Sequence, residues 1–185
     1  PAASAALIAE VAATTRFDVE ALVAATAAAA TPAIPVVGAL KRAVAGRSPA
    51  AADHVHFGAT SQDAVDSALM LAARAALAVV DRDGARVVRL LRGLAATHRH
   101  SLMVARTLGQ QAGLTTFGAK AAGWLQGVLQ PLQRLRGLAG ALPLQFAGAS
   151  GTLAGYGPQA LALRAAVAQR LALRAVPPWH TERDA

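Results

Sequence analysis

Cysteine is absent from this chain of 185 residues, and charged and aromatic residues are scarce, at 15% and 4%. Without a thiol the chain can form no disulfide scaffold, thiolate nucleophile, Cys-ligated zinc site or iron–sulfur site, which agrees with a cytoplasmic location. Hydrophobic residues make up 55%, and this content excludes a solvated disordered chain. With so few aromatics, Ala, Leu and Val must build the core, and these small side chains favour closely packed helices over a sheet.

Two uncharged stretches are long enough to test as membrane spans, residues 21–40 and 137–163. Each carries two prolines, and the second is also rich in glycine, so neither is typical of a lipid-facing helix. The net charge of +8 comes mostly from dispersed arginines, with no basic run interleaved with aromatics. The sequence therefore predicts neither a membrane nor a nucleic acid as a partner.

Apolar residues recur at helical spacing almost throughout, and no sustained strand alternation occurs. A capping-box pattern at Thr60–Asp63 predicts the start of a helix of roughly 35 residues, in which Gly84 is interpreted as a bend. A second long helix is predicted at Thr115–Ala139, with a kink at Pro131. Shorter helices are predicted at Pro1–Thr14, Val19–Ala30 (with Asp18 as N-cap), Val36–Ala45 and Gln159–Leu173. The predicted fold is all-α, an elongated helical bundle.

Three polar islands interrupt the apolar chain, and each lies at a helix end or in a loop. The first island, residues 54–63, has two histidines, two hydroxyls, an amide and a carboxylate before the long helix. The free amides of that helix end favour an anion such as a substrate carboxylate. The alternative, which the spacing alone favours, is that Thr60 and Asp63 form a capping box and nothing more. The two histidines have no adjacent third ligand, so no metal is expected.

The second island, residues 105–111, holds a cation, a hydroxyl and two amides. These groups would grip a carboxylate or simply begin a solvated helix. The third island, residues 146–152, is rich in Gly and Ala and contains Ser150. Its order Gly-Ala-Ser-Gly does not match the Gly-x-Ser-x-Gly nucleophile elbow, so close helix packing is favoured over a serine nucleophile.

Taken together and in this order, the islands resemble the fumarase/aspartase superfamily. His56–Asp63 and Arg106–Ala112 are similar to its first and second signatures, and Phe146–Thr152 is similar to the glycine-rich segment that follows. Lys120–Trp124 and Pro178–Asp184 are most similar to the bacterial 3-carboxy-cis,cis-muconate cycloisomerase branch. The resemblance implies an elongated helical bundle, a homotetramer whose active sites draw residues from three subunits, and no cofactor.

The activity that this resemblance implies is the interconversion of 3-carboxy-cis,cis-muconate and 4-carboxymuconolactone, in protocatechuate catabolism through the β-ketoadipate pathway. Polar side chains of the first two islands would hold the carboxylates of this small tricarboxylate. His56 is the candidate catalytic residue, with a structural cap as the alternative. The implied substrate-binding residues are Thr60, Ser61, Gln62, Arg106, Thr107 and Gln110.

Two positions depart from the lyase pattern, which has histidines where this chain has Leu108 and Gln111. A lyase that expels an amine or a purine nitrogen gains by protonating it, whereas the carboxylate that leaves in lactone opening departs unprotonated. The departure favours a cycloisomerase over an adenylosuccinate lyase-like enzyme that eliminates fumarate. A non-catalytic helical assembly module is the third alternative.

The superfamily's base is a serine in a loop of pattern G-S-S-x-M-P-x-K-x-N, and these 185 residues contain no such segment. The resemblance therefore predicts a fragment. Residues 1–58 would be a remnant of the N-terminal helical domain, and residues 59–185 the first part of the central long-helix bundle. Made alone, the chain is expected to be inactive, and its three islands are expected to lie at bundle ends without converging in one subunit.

Overall fold

The structure, a computed structural model, describes residues 2–183. Its elements in chain order are α1 (Ala2–Thr14), α2 (Val19–Ala29), α3 (Ala33–Ala45), α4 (Pro49–Ala52), α5 (Ser61–Thr97), β1 (Leu102–Thr107), β2 (Gln110–Thr116), α6 (Phe117–Ala139), a 3₁₀ helix (Ala154–Gln159) and α7 (Ala160–Leu171). The predicted helical class is confirmed, with one small antiparallel sheet in addition. Within the described range, no helix is both long and apolar enough to cross a membrane.

The chain divides into two compact units. The first unit contains the chain up to Leu71 and again from Pro143 onward, and the second is Ala72–Leu142. Because Leu71 lies within α5, the first turns of that helix belong to one unit and its remaining turns to the other. The second unit is therefore an insertion in the chain path of the first.

The N-terminal helices of the first unit enclose a small aliphatic core. Its buried members are Val11, Val44, Ala51, Ala52 and Val55, and its partly buried members include Leu7, Ile8, Val37 and Leu40. These residues come from α1, α3, α4 and the turn that follows α4. The composition predicts such a core, since small branched side chains let short helices pack closely.

The residues at the helix ends explain where two of these helices begin. Asp18 accepts a hydrogen bond from the backbone N of Ala21 at 3.0 Å, so the predicted N-cap of α2 is confirmed. The helix α3 begins at Ala33, before the predicted Val36. Pro35 is tolerated there because backbone N–H groups in the first turn have no intrahelical partner.

In the second unit, residues of α5 and α6 are in close contact at several positions. A methyl group at Gly84 would lie 2.8 Å from Cδ1 of Leu132, and Asp81 forms an ion pair with Arg136. Sequence numbers rise along α5 as they fall along α6, so the two helices are antiparallel. Gly84 does not interrupt α5, which is continuous from Ser61 to Thr97, and the glycine makes room for Leu132.

Part of the apolar stripe of α5 stays exposed in this chain. Val80, Val87 and Leu94 expose 45%, 40% and 39% of their surface. These residues form a row of exposed aliphatic side chains along α5.

Candidate active site

The first island forms a tight turn between α4 and α5. His56 and Gly58 both have positive φ, at 61° and 69°. A methyl group at Gly58 would lie 2.7 Å from Cε1 of Tyr156, so this position needs glycine for space as well as for conformation. Burial, and to a lesser extent the charge of Asp63, raises the pKa of Tyr156. An aromatic ring from the 3₁₀ helix thus packs against the first island.

Asp63 is a buried carboxylate, 5% exposed, and accepts three backbone hydrogen bonds. The backbone N of Thr60 donates to its Oδ2 at 3.1 Å, which confirms the acidic half of the predicted capping box. Ala147 donates to Oδ1 at 2.8 Å and Gly148 donates to Oδ2 at 2.9 Å. One side chain therefore fixes both the start of α5 and the third island.

These bonds bring the first and third islands together in one subunit. A methyl group at Gly148 would lie 3.1 Å from the carbonyl O of Gly58, so the two backbones are almost in contact. The expectation that the islands do not converge within a subunit is wrong for this pair. Close approach is possible because both segments have glycine at the contact, leaving backbone amides free to reach Asp63.

His56 and Ser61 line one small cavity of about 240 Å³, together with residues 33, 34, 37 and 38 of α3. Thr60, Ser61 and Gln62 are all partly buried at the start of α5. Within residues 2–183, the hydroxyls of Thr60 and Ser61 form no hydrogen bond, so both remain available as donors. Since the Asp63 carboxylate already lies in the first turn, these hydroxyls are better suited to hold an anion than the helix end itself.

Asp66 is the second buried carboxylate of this region, 2% exposed. Its two oxygens accept hydrogen bonds from Nη1 and Nη2 of Arg183 at 3.0 and 2.9 Å. These bonds lower the pKa of Asp66, burial opposes them, and a hydrogen bond from Gln62 lowers it further. Gln62, predicted to bind substrate, is thus placed beside a structural ion pair.

The second island is a β-hairpin, and the prediction of an irregular or helical segment there is wrong. Leu102 pairs with Thr116 and Thr107 pairs with Gln110, with a register shift between Val104 and Arg106. Leu108 and Gly109 form the two-residue turn, both with positive φ (50° and 76°). Leu108 is fully exposed at its tip.

The register of the hairpin places the residues predicted to bind a carboxylate on two different faces. Residues paired across the strands share a face, and successive residues alternate. Thr107 therefore shares a face with Gln110, and Arg106 shares the other with Gln111. All four side chains are exposed. A hydroxyl and an amide thus lie on one face of the hairpin, and Arg106 lies on the other.

Two glycines with left-handed backbone conformation and one pair of hydroxyls hold the third island in its shape. Gly148 and Gly151 have φ of 74° and 77°, and Ser150 Oγ lies 2.8 Å from Thr152 Oγ1. A methyl group at Gly151 would lie 2.8 Å from Cε1 of His180. Ser150 is thus paired with a hydroxyl rather than with a base, in agreement with the packing interpretation.

Residues 2–184 match a protein-family model described as Lyase. The chain belongs to this lyase family, the fumarase/aspartase superfamily. The family assignment covers both units and all three islands, so the resemblance inferred from the islands is confirmed.

Two relatives of this lyase-family chain have equal identity and different names. A 3-carboxy-cis,cis-muconate cycloisomerase of Pseudomonas aeruginosa is 47% identical over 171 residues, which are 91% of this chain and 37% of that protein. A nitrosuccinate lyase of Streptomyces davaonensis is 47% identical over 156 residues, 84% of this chain and 33% of that protein. The chain therefore spans about a third of the length of these relatives.

Solved structures give the same family. The 3-carboxy-cis,cis-muconate lactonizing enzyme of Pseudomonas putida superposes with a TM-score of 0.95 at 40% identity, covering 100% of this chain and 42% of that one. A fumarate lyase of Mesorhizobium superposes with a TM-score of 0.90 at 34% identity, covering 100% and 43%. The hairpin and the long helices are thus the lyase fold of these enzymes.

The site residues predicted from the sequence do not include Gln145, Trp179 or His180, although Trp179 and His180 lie in the Pro178–Asp184 segment that carries part of the resemblance. Gln145 is fully buried, Trp179 donates from its backbone N to Gln145 Oε1 at 3.0 Å, and His180 Nδ1 lies 2.9 Å from Gln145 Nε2. The sequence signal for Gln145 is its position as a lone polar residue between Leu144 and Phe146. A glutamine in an apolar run needs hydrogen-bond partners when it is buried.

Proposed function

We propose that the protein containing these residues interconverts 3-carboxy-cis,cis-muconate and 4-carboxymuconolactone. The observation that carries the proposal is the hairpin, where Leu108 and Gln111 stand at positions that are histidines in the lyase pattern and neither side chain can protonate a leaving group. Lactone opening releases a carboxylate, which leaves without a proton. The P. aeruginosa cycloisomerase at 47% identity supports the same reaction.

In the lactone-opening direction, a base removes the proton α to a carboxylate, and the ring C–O bond then breaks to release the lactone carboxylate as the third carboxylate of the product. The intermediate is an aci-carboxylate dianion, which needs donors placed in advance. We assign the Thr60 and Ser61 hydroxyls, and the Thr107 and Gln110 face of the hairpin, to the substrate carboxylates. His56, which shares a cavity with Ser61, orients the substrate.

The remaining assignments concern the whole protein. The base is a serine outside these 185 residues, and residues 1–58 and 59–185 belong to an N-terminal domain and a central bundle domain. The protein acts in the cytoplasm, without a metal or cofactor, as a homotetramer with shared active sites. The exposed stripe of Val80, Val87 and Leu94 supports assembly, because it provides an aliphatic face for helices of another subunit.

Elimination of nitrite from nitrosuccinate is the second candidate, favoured by the S. davaonensis relative. Nitrite is a weak base and leaves unprotonated, so the same hairpin suits it. Adenylosuccinate cleavage releases a purine nitrogen, which leaves more easily when it is protonated. This reaction is disfavoured because Leu108 and Gln111 stand where the lyase pattern has histidines.

The test is to express the complete reading frame and offer the three substrates separately. Loss of carboxymuconate absorbance, release of nitrite and cleavage of adenylosuccinate are measured in parallel. We expect kcat/KM for carboxymuconate to exceed the other two by at least tenfold. A preference for nitrosuccinate would select the second candidate, and inactivity on all three would favour an assembly module.

A further inference from the structure

Gln145 is held at every polar atom. Its backbone N donates to Ser67 Oγ at 3.2 Å, and its carbonyl accepts from the same hydroxyl at 2.8 Å. Its side-chain Oε1 accepts from the backbone N of Trp179 at 3.0 Å, and its Nε2 lies 2.9 Å from Nδ1 of His180. Because the residue is fully buried, this amide has one orientation only.

That orientation decides the tautomer of His180. A backbone N–H can only donate, so the Gln145 atom facing Trp179 N must be the oxygen. The atom facing His180 is then the NH₂ group, which donates, and Nδ1 must accept. The imidazole is therefore neutral, with its proton on Nε2. Protonation of Nδ1 would break the bond to Gln145, so this ring is suited to donate a hydrogen bond and not to act as a base.

The Nε2 edge of the ring faces the third island. A methyl group at Gly151 would lie 2.8 Å from Cε1 and 3.2 Å from Nε2 of His180. The ring is partly exposed, and in the described part of the chain Nε2 has no hydrogen-bond partner. An oriented and unpaired N–H is thus presented at the glycine-rich segment that Asp63 ties to the first island.

The chain on both sides of His180 is anchored. Trp179 donates from Nε1 to the carbonyl of Leu144 at 3.1 Å. Arg183 lies 5.1 Å from the Trp179 ring and forms the bidentate pair with Asp66. These contacts leave the imidazole little freedom to turn, which is the preorganisation that a binding group needs.

We propose that His180 is a substrate-binding residue that donates its Nε2–H to a carboxylate of the substrate. This inference rests on the proposed function, which supplies an anionic substrate with three carboxylates. A neutral donor suits this role because it binds the carboxylate without giving up its proton. The first and third islands then form one binding surface, to which Thr60 and Ser61 contribute hydroxyls and His180 contributes an imidazole N–H.

The tautomer is tested first, on the 185-residue chain labelled with ¹⁵N-histidine. Long-range proton–nitrogen spectra at pH 8 distinguish a protonated from an unprotonated ring nitrogen, and the His180→Gln variant assigns the signal among five histidines. We expect protonated Nε2 and unprotonated Nδ1. A proton on Nδ1, or rapid averaging between the two nitrogens, would overturn the inference.

Binding is tested next, by titrating 3-carboxy-cis,cis-muconate into the chain and its variants. We expect His180→Leu to raise Kd about tenfold, and His180→Gln, whose amide reaches the Nε2 position, to stay within threefold of the parent chain. His100→Leu is the control, since His100 is exposed in the turn after α5. Circular dichroism confirms that each variant is folded.

The two proposals fail in different ways. If the parent chain does not bind the tricarboxylate at all, the inference about His180 is overturned, while the proposed function is still decided by the activity of the complete protein. If the parent chain binds and His180→Leu binds equally well, only the role of His180 is overturned.

Discussion

Asp66 and Arg183, 117 residues apart, form a bidentate ion pair in which the carboxylate is buried and the guanidinium is 46% exposed. The pair joins the start of α5 to the end of the described chain. Since the carboxylate has left water, its charge depends on this partner and on a hydrogen bond from Gln62.

The first prediction concerns acid stability. The pKa of Asp66 is lowered in the folded state, so the stabilisation is complete above its ordinary value of 3.8 and is lost as pH falls through the folded value. Asp66→Asn should reduce the free energy of unfolding by roughly 1–3 kcal/mol at pH 7 and progressively less below pH 4. Urea unfolding across pH measures this, and Asp83→Asn, in a solvent-exposed pair, should show no such effect.

The second prediction concerns the three bonds of Asp63. An asparagine keeps one oxygen but points an NH₂ group at a backbone donor, so Asp63→Asn should cost roughly 1–3 kcal/mol. Hydrogen exchange should accelerate at the amide of Ala147 or of Gly148, whichever one faces the new NH₂ group and loses its acceptor. Asp53→Asn, at an exposed position after α4, is the matched control. Unchanged protection at both amides would show that Asp63 does not hold the third island.

The third prediction compares two glycines of α6. A methyl group at Gly118 would lie 2.7 Å from the carbonyl O of Ala95, whereas one at Gly123 would meet nothing within 4 Å. Gly118→Ala should therefore destabilise by roughly 1–3 kcal/mol. Gly123→Ala should stabilise by up to about 1 kcal/mol, through helix propensity alone. Thermal unfolding of both variants provides the comparison, and equal shifts would contradict it.

The fourth prediction uses two adjacent glutamines on opposite faces of the hairpin. In the complete protein, Gln110→Ala should raise KM for carboxymuconate about tenfold, because an amide donor to a carboxylate is lost. Gln111→Ala, on the face of Arg106, should leave KM within twofold. A larger effect at Gln111 would move the carboxylate site to the face of Arg106.

The fifth prediction is that the 185-residue chain, made alone, does not turn over carboxymuconate. Its donors can bind a carboxylate, but binding without a base to remove the α-proton gives no rate. Turnover within a factor of ten of a full-length homologue, abolished by Ser61→Ala, would place the base within these residues, with His56 first among them.

Local sequence signals predicted most of the helices and few of the long-range contacts. Asp18 and the box at Thr60–Asp63 gave helix starts because capping is decided within four residues. The hairpin was not predicted because its turn is Leu108-Gly109 rather than the usual Asn-Gly, and because its strands lack a sustained alternation of apolar and polar residues. Nothing in the spacing of Asp63 and Ala147 signals a bond across 84 residues. Such pairs depend on the tertiary fold, which periodicity does not describe.

The division of the chain at Leu71 and Pro143 has a consequence for synthesis. The first unit cannot be completed when its N-terminal helices emerge from the ribosome, because Asp63 and Asp66 meet their partners 85 and 117 residues later. At a translation rate of about 5–20 residues per second, these carboxylates therefore remain exposed to water for several seconds before their partners are synthesised. The inserted second unit, whose contacts are nearer in sequence, is fully synthesised before the first can close around Asp63.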